Sequence, residues 1–335
     1  MLNLCGTWVA ALIFLVFVLQ YCEKRAALRG TNRAPLQKWQ DKSLRTIFLF
    51  VFVSPLMIGF GWWGILLFFL YLPTYLDGSE VTGARASDRL KNFIVWRYFY
   101  HRLGLKLVVE EKLDENQQYI MGISPHGILP WGAAVNLRSN FTNVDEHLGK
   151  IRSNILAASM CFYVPLYRDL LLAGGAIDAA RYNAIRALKE GHSLMLVPGG
   201  ATEALYSAPR TNTLHLKSRS GFIKLALETG AHLVPVYSFN EVDAYGVVSE
   251  DHEYVMKAKK KFQAVFGISL PLITNIIPRK VEITTVVGKP IEVEQIHNPT
   301  KEQVEAVLDK YIAELTRVFN DHHEKCGTEN NLVVY

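Results

Sequence analysis

Three short stretches of this sequence join turn-forming residues to groups capable of chemistry. The first, Ser124-Pro125-His126-Gly127, ends an apolar run from Gln118 to Ile123. Proline fixes the approach and glycine permits a tight turn, so the imidazole is held at a defined place. A neutral imidazole there can take a proton from a hydroxyl as that hydroxyl attacks a thioester carbonyl. The alternative is a turn histidine bonded only to backbone. The second stretch, Val197-Pro198-Gly199-Gly200-Ala201-Thr202-Glu203, follows another apolar run. Its glycines, like Gly127, let backbone N–H groups approach a phosphate or an oxyanion closely. Glu203 can orient the histidine or cap the next helix. The third stretch holds Lys217, Arg219 and Lys224 around a helix start, a cationic patch suited to the phosphates of CoA. A charged helix face turned to water is the other reading.

Strands and helices must position these turns. Gln118–Ile123, His192–Val197, Leu233–Phe239 and Lys280–Val287 read as strands. Asp178–Glu190 reads as a helix with Asp178 at its N-cap, and Ser220–Thr229 as a helix closed by Gly230. The last helix begins at Thr300, with Gln303 three residues on, a capping-box signature. Val304, Val307, Leu308, Tyr311, Leu315, Val318 and Phe319 keep helical spacing along it. Strands alternating with helices predict an α/β domain over residues 78–335, in which sites sit at strand ends.

The first 77 residues differ. Leu4–Tyr21 carries no charge and is long enough for an uncleaved membrane anchor, since Cys22-Glu23-Lys24-Arg25 follows where a cleavage site would stand. Thr46–Leu76 is also uncharged and is interrupted by Pro55, Gly59, Gly61 and Gly64, which favours a membrane hairpin over one tilted span. Seven basic residues against two acidic ones between these blocks place the connecting loop in the cytosol. A hairpin then leaves the large domain cytosolic as well. The match of Gly59 to Gly64 to GxGxxG lacks a βαβ context and reads as membrane packing.

Composition agrees. The chain has 335 residues, 50% hydrophobic, and a net charge of +5, which suits a membrane surface or a phosphorylated substrate and is too weak to argue for nucleic acid. Four cysteines, at 5, 22, 161 and 326, form no ligand cluster. His322-His323 with Cys326 reads as polar surface. No GxSxG, P-loop or HExxH occurs, and H-x-x-x-x-D fails because Trp131 stands five residues after His126.

Together these segments resemble the type-2 diacylglycerol acyltransferase family, which includes monoacylglycerol and wax-alcohol acyltransferases. Ser124-Pro125-His126-Gly127 is similar to the family's His-Pro-His-Gly, and Pro198 to Leu205 to its glycine turn. Its longest signature, R-x-G-F-x-K/R-x-A-x-x-x-G-x-x-L/V-V-P, is met from Arg219 to Pro235, and Val287-Gly288-Lys289-Pro290-Ile291 is another hallmark. There are departures. Ser124 replaces the first histidine or glutamate, so that position supplies no essential acid or base. Asn240 stands where glycine is usual before Glu241, and Tyr98-Phe99-Tyr100 only partly matches Tyr-Phe-Pro. These departures bear on acceptor choice rather than on the reaction.

The resemblance implies an acyltransferase-like mixed sheet with flanking helices, following N-terminal membrane helices. It implies an endoplasmic reticulum enzyme, present also on lipid droplets, that joins acyl-CoA and diacylglycerol into triacylglycerol without a metal or other cofactor. His126 is the expected general base and Glu203 its partner. Gly127, Gly199 and Gly200 are expected around the oxyanion, and Arg219, Gly221, Phe222 and Lys224 at acyl-CoA. Monoacylglycerol or a long-chain alcohol is the alternative acceptor, and an inactive membrane scaffold the alternative of another class. Oligomeric state stays open, a homo-oligomer included.

Overall fold

The computed structural model describes residues 61–91, 93–248, 253–269, 272–328 and 330–335. The chain divides into two compact units, Met1–Gly78 and Ser79–Tyr335. The Leu4–Tyr21 anchor and most of the Thr46–Leu76 block lie outside the described residues. In the first unit, helix α1 (Trp62–Leu76) carries no charge and contains Pro73. Among the described residues no helix is long and apolar enough to cross a membrane.

The second unit is built on a seven-stranded sheet in the order β1-β8-β7-β2-β5-β3-β4. Its strands are β1 (Lys106–Val109), β2 (Tyr119–Ser124), β3 (Ser153–Ala157), β4 (Ala176–Asp178), β5 (Ser193–Leu196), β7 (His232–Phe239) and β8 (Thr284–Val287), while β6 (Thr213–Leu214) and β9 (Val333–Val334) pair apart from it. Neighbours run parallel except β7 and β8, so the sheet is mixed. All six residues of β2 are buried, as are seven of the eight in β7. Such double burial is what a central parallel strand covered on both faces requires. Alternate β2 residues serve two cores: Ile120 joins Leu194, Leu233 and Tyr311, whereas Met121 and Ile123 join Val234 and Val287.

The longer helices of this unit are α2 (Ile94–Arg102), α3 (Tyr167–Ala173), α4 (Arg181–Lys189), α5 (Gly200–Tyr206), α6 (Gly221–Thr229), α7 (Glu253–Phe266) and α8 (Lys301–His322), of which α3, α4, α6 and α8 pack on the sheet. In α6 the run Phe222, Ile223, Leu225, Ala226 and Leu227 is buried, and Gly230 ends the helix at φ 75°, a conformation glycine adopts without steric cost. Thr300 opens α8 with the expected capping box, and all its predicted core positions are buried except Val307, which packs at the core's edge. Tyr311 of α8 donates to the Gly122 carbonyl at 2.9 Å. A Cβ on Gly122 would lie 2.2 Å from that hydroxyl, which explains a glycine inside the central strand.

Two boundaries differ from expectation. Asp178 is not the N-cap of α4: it ends β4, and its carboxylate accepts from Ala180 N–H and Ser159 Oγ, each at 2.9 Å. That turn delays the helix to Arg181. Strand β8 covers only Thr284–Val287 of the expected run; just ahead of it the Ile283 N–H is bonded to the Leu103 carbonyl, before β1 begins. Strands β1, β3 and β4 had no sequence signal, each being short, with polar residues at Lys106, Ser153, Asn154 and Asp178.

Candidate active site

The central strands β5, β2 and β7 end side by side and deliver the turns after Leu196, Ser124 and Phe239 to one edge of the sheet. This is where open α/β sheets hold their ligands. His126 follows β2 directly and is half-buried. Its Nδ1 lies 3.0 Å from the Gly127 carbonyl. A carbonyl only accepts, so this contact assigns the proton to Nδ1 and leaves the Nε2 lone pair free. Burial depresses the imidazole pKa below its ordinary value, opposed by the bond to Gly127. A neutral ring with one free nitrogen is the form a general base needs.

Two buried carboxylates hold this loop. Glu203, on α5, is 3% exposed. One of its oxygens accepts the backbone N–H of His126 and the other that of His215, both at 3.0 Å. Glu203 thus positions the histidine through its backbone; it neither bonds the imidazole nor caps α5. Burial pushes its pKa up to about 7, against the pull of those two N–H groups and Arg219. Glu241, just past β7, is 1% exposed. It accepts the backbone N–H groups of Trp131 and Gly132 and the Ser238 hydroxyl, the last at 2.6 Å. Ser238 meets Thr285, which Asn136 Nδ2 bonds at 2.7 Å. Burial pushes Glu241 up to about 7 as well. The loop from His126 to Gly132 is therefore clamped at both ends.

Glycines make room for the clamps. A Cβ on Gly199 would lie 1.8 Å from the Glu203 carboxyl carbon, and one on Gly132 would lie 2.3 Å from Ser238 Oγ. Gly127 sits at φ 58°, close against Glu241. The pair Gly199 (right-handed) and Gly200 (φ 53°) has the backbone handedness of an anion nest. Gly200 N–H is spent on the Val197 carbonyl at 3.1 Å, so it closes the turn rather than pointing at a ligand. Asn240 takes the left-handed conformation, φ 62°, which asparagine tolerates where glycine is otherwise usual. Ser124 is fully buried, and its hydroxyl has no partner among the described residues.

Beside this turn Arg219 is exposed and donates to Thr202 Oγ1 at 2.6 Å. The other residues expected at acyl-CoA separate. Phe222 packs in the core, edge-on to Tyr311 with ring centroids 5.0 Å apart. Lys224 is exposed and faces Glu228 at 3.9 Å. Gly221 is exposed, with open space where a Cβ would be. His322 pairs with Glu110 at 2.9 Å and His323 stacks on Phe319. The sequence signal for Glu241 is its place two residues past a strand rich in Val, Tyr and Phe.

A model of the diacylglycerol acyltransferase family matches residues 56–335, and the chain belongs to that family. Diacylglycerol O-acyltransferase 2 of Dictyostelium discoideum is 35% identical, over 79% of this chain and 84% of its own length. 2-Acylglycerol O-acyltransferase 1 of Bos taurus is 34% identical, over 78% and 84%. Diacylglycerol O-acyltransferase 2 of Homo sapiens is 34% identical, over 73% and 67%.

Proposed function

We propose that this chain transfers a fatty acyl group from acyl-CoA to the free hydroxyl of diacylglycerol, forming triacylglycerol and CoA. The observation that carries the reading is His126, neutral, with Nε2 free and its backbone fixed by Glu203. Nε2 takes the proton of the lipid hydroxyl as its oxygen attacks the thioester carbon. The tetrahedral oxyanion lies toward Gly127 and the Gly199 side of the nest. Its collapse breaks the C–S bond, and the imidazolium returns the proton to the leaving thiolate. Arg219 faces the CoA phosphates. A monoacylglycerol acceptor is the second reading, favoured by the 2-acylglycerol acyltransferase among the relatives.

In this reading residues 1–77 embed the enzyme in the endoplasmic reticulum membrane and the domain from residue 78 faces the cytosol. Asn140, in the sequon Asn140-Phe141-Thr142, is exposed. It stays free of glycan in cells if the domain is cytosolic; a sugar on Asn140 rejects that topology.

The reaction is tested with microsomes from cells lacking their own triacylglycerol synthesis, expressing wild type or His126→Ala. Labelled oleoyl-CoA is offered with diacylglycerol, monoacylglycerol or a long-chain alcohol. Triacylglycerol formed by wild type and lowered at least about 100-fold in the variant is expected. Equal product from both rejects His126 as the base. No product from wild type with any acceptor leaves the scaffold reading.

A further inference from the structure

Outside the catalytic turn three aromatic rings stand in a row. Tyr206 ends α5, His215 follows strand β6 (Thr213–Leu214), and Tyr335 follows strand β9 (Val333–Val334). Ring centroids are 5.3 Å apart for Tyr206 and His215, and 5.6 Å for His215 and Tyr335, with interplanar angles of 34° and 22°. Strands β6 and β9 form a parallel ribbon of their own. Tyr335 is seated by main chain: its main-chain oxygen accepts the N–H groups of Leu216 and Lys217, each at 2.8 Å, and its N–H donates to the Leu214 carbonyl.

A row built for packing would be sealed, as the stacked Phe239 and Phe319 are at 1% exposure or less. Here the two outer rings are open, Tyr335 at 61% and Tyr206 at 42%. Cationic side chains stand beside them. Lys217 and Arg219 are exposed on the turn that Tyr335 clips, and Lys260 Nζ stands 5.6 Å from the Tyr206 ring centroid. The row is also tied to the reaction centre, because His215 N–H and His126 N–H share the Glu203 carboxylate.

Open, flat rings beside a cationic turn match a purine carrying phosphates, since stacking serves any base and cations meet its anionic groups. We propose that the exposed face of Tyr335 seats the adenine ring of the acyl donor, with Lys217, Arg219 and Lys260 about its phosphates. This deepens the acyl-CoA reading above and rests on it. The thioester end then runs toward His126 along the Glu203 connection. Neither a core nor a plain anion patch asks for the ring of Tyr335 to stay bare.

The test uses the full-length protein in lipid nanodiscs, as wild type, Tyr335→Ala and Tyr335→Phe. The main-chain seat of residue 335 does not need the ring, and Phe keeps the stacking surface. CoA binding is measured directly, with 3′,5′-ADP or pyrophosphate as competitor. CoA affinity about ten- to a hundredfold weaker in Tyr335→Ala, and near wild type in Tyr335→Phe, is expected. The nucleotide should compete far better than pyrophosphate. Equal CoA affinity in wild type and Tyr335→Ala overturns the seat, as does equal weakening in Tyr335→Phe or equal competition by pyrophosphate. Acyl transfer from oleoyl-CoA separates the two readings. CoA binding that depends on Tyr335 without any transfer rejects the acyltransferase reading alone. Transfer with an unaltered KM for oleoyl-CoA in Tyr335→Ala rejects the seat alone, and wild type that neither binds CoA nor transfers rejects both.

Discussion

The carboxylate of Glu203 receives the backbone N–H of His126 on one oxygen and that of His215 on the other, each at 3.0 Å. Two loops from different strands are thereby referred to one buried group, and the backbone of His126 is held by it.

Glu203 has its pKa pushed up to about 7 by burial, whereas His126 titrates below its ordinary value. Protonation turns one acceptor oxygen into a donor facing an N–H, so transfer should fall as pH drops through about 7. Glu203→Gln carries that mismatch permanently and does not titrate. Its kcat/KM should be about tenfold lower at pH 8, the cost of one unsatisfied buried group. Its acid limb should move down to that of His126. A pH profile from 5 to 8 decides; an unmoved limb in the Gln variant would exclude Glu203 as the titrating group.

Glu241 bears on stability. Its folded pKa of about 7 lies above the ordinary 4.5, through burial. The protonated fold's advantage is full below 4.5 and is lost as pH rises through 7, on the order of 3 kcal/mol in all. Glu241→Gln lacks this dependence. Thermal unfolding should show wild type losing ground to the variant between pH 4.5 and 7 and levelling above. A constant offset across that window would contradict the assignment.

Gly199→Ala places a methyl group on the Glu203 carboxyl. Overpacking of this kind costs about 1–3 kcal/mol, and here it also displaces the clamp on His126. The variant should fold with a lowered Tm and lose most transfer activity. A fully active Gly199→Ala would show that Glu203 can leave its place without consequence.

Thr300→Ala supplies the contrast. The capping box at the start of α8 is remote from the turns, and its loss costs about 1 kcal/mol. Stability should drop by that amount with kcat unchanged at 25 °C, as read from denaturant unfolding beside the transfer assay.

The turns at His126 and Gly199 are legible because apolar runs stop abruptly at proline and glycine. Helix α8 was legible through its cap and its period. What the sequence hid was pairing. Glu203 reads alone as a cap or a partner for the imidazole, and only the fold brings two distant N–H groups to its oxygens. Glu241 lacks a glycine-rich setting, so its hold on Trp131 and Gly132 was silent. Phe222 lies within a signature yet belongs to the core, since a signature records every constraint on a segment, packing included. Strand β1 pairs with β8, which supplies its register from far along the chain.

That pairing sets when the enzyme can exist during synthesis. Lys106 to Val109 wait for Thr284 to Val287, and Gly122 for Tyr311. A ribosome that has already released His126 and Glu203 has made the turn and its clamp, but the sheet that aligns them is still open on one side. Contacts of such long separation close late. Until α8 is made, the strand that carries the His126 turn therefore lacks the Tyr311 bond that pins it at Gly122.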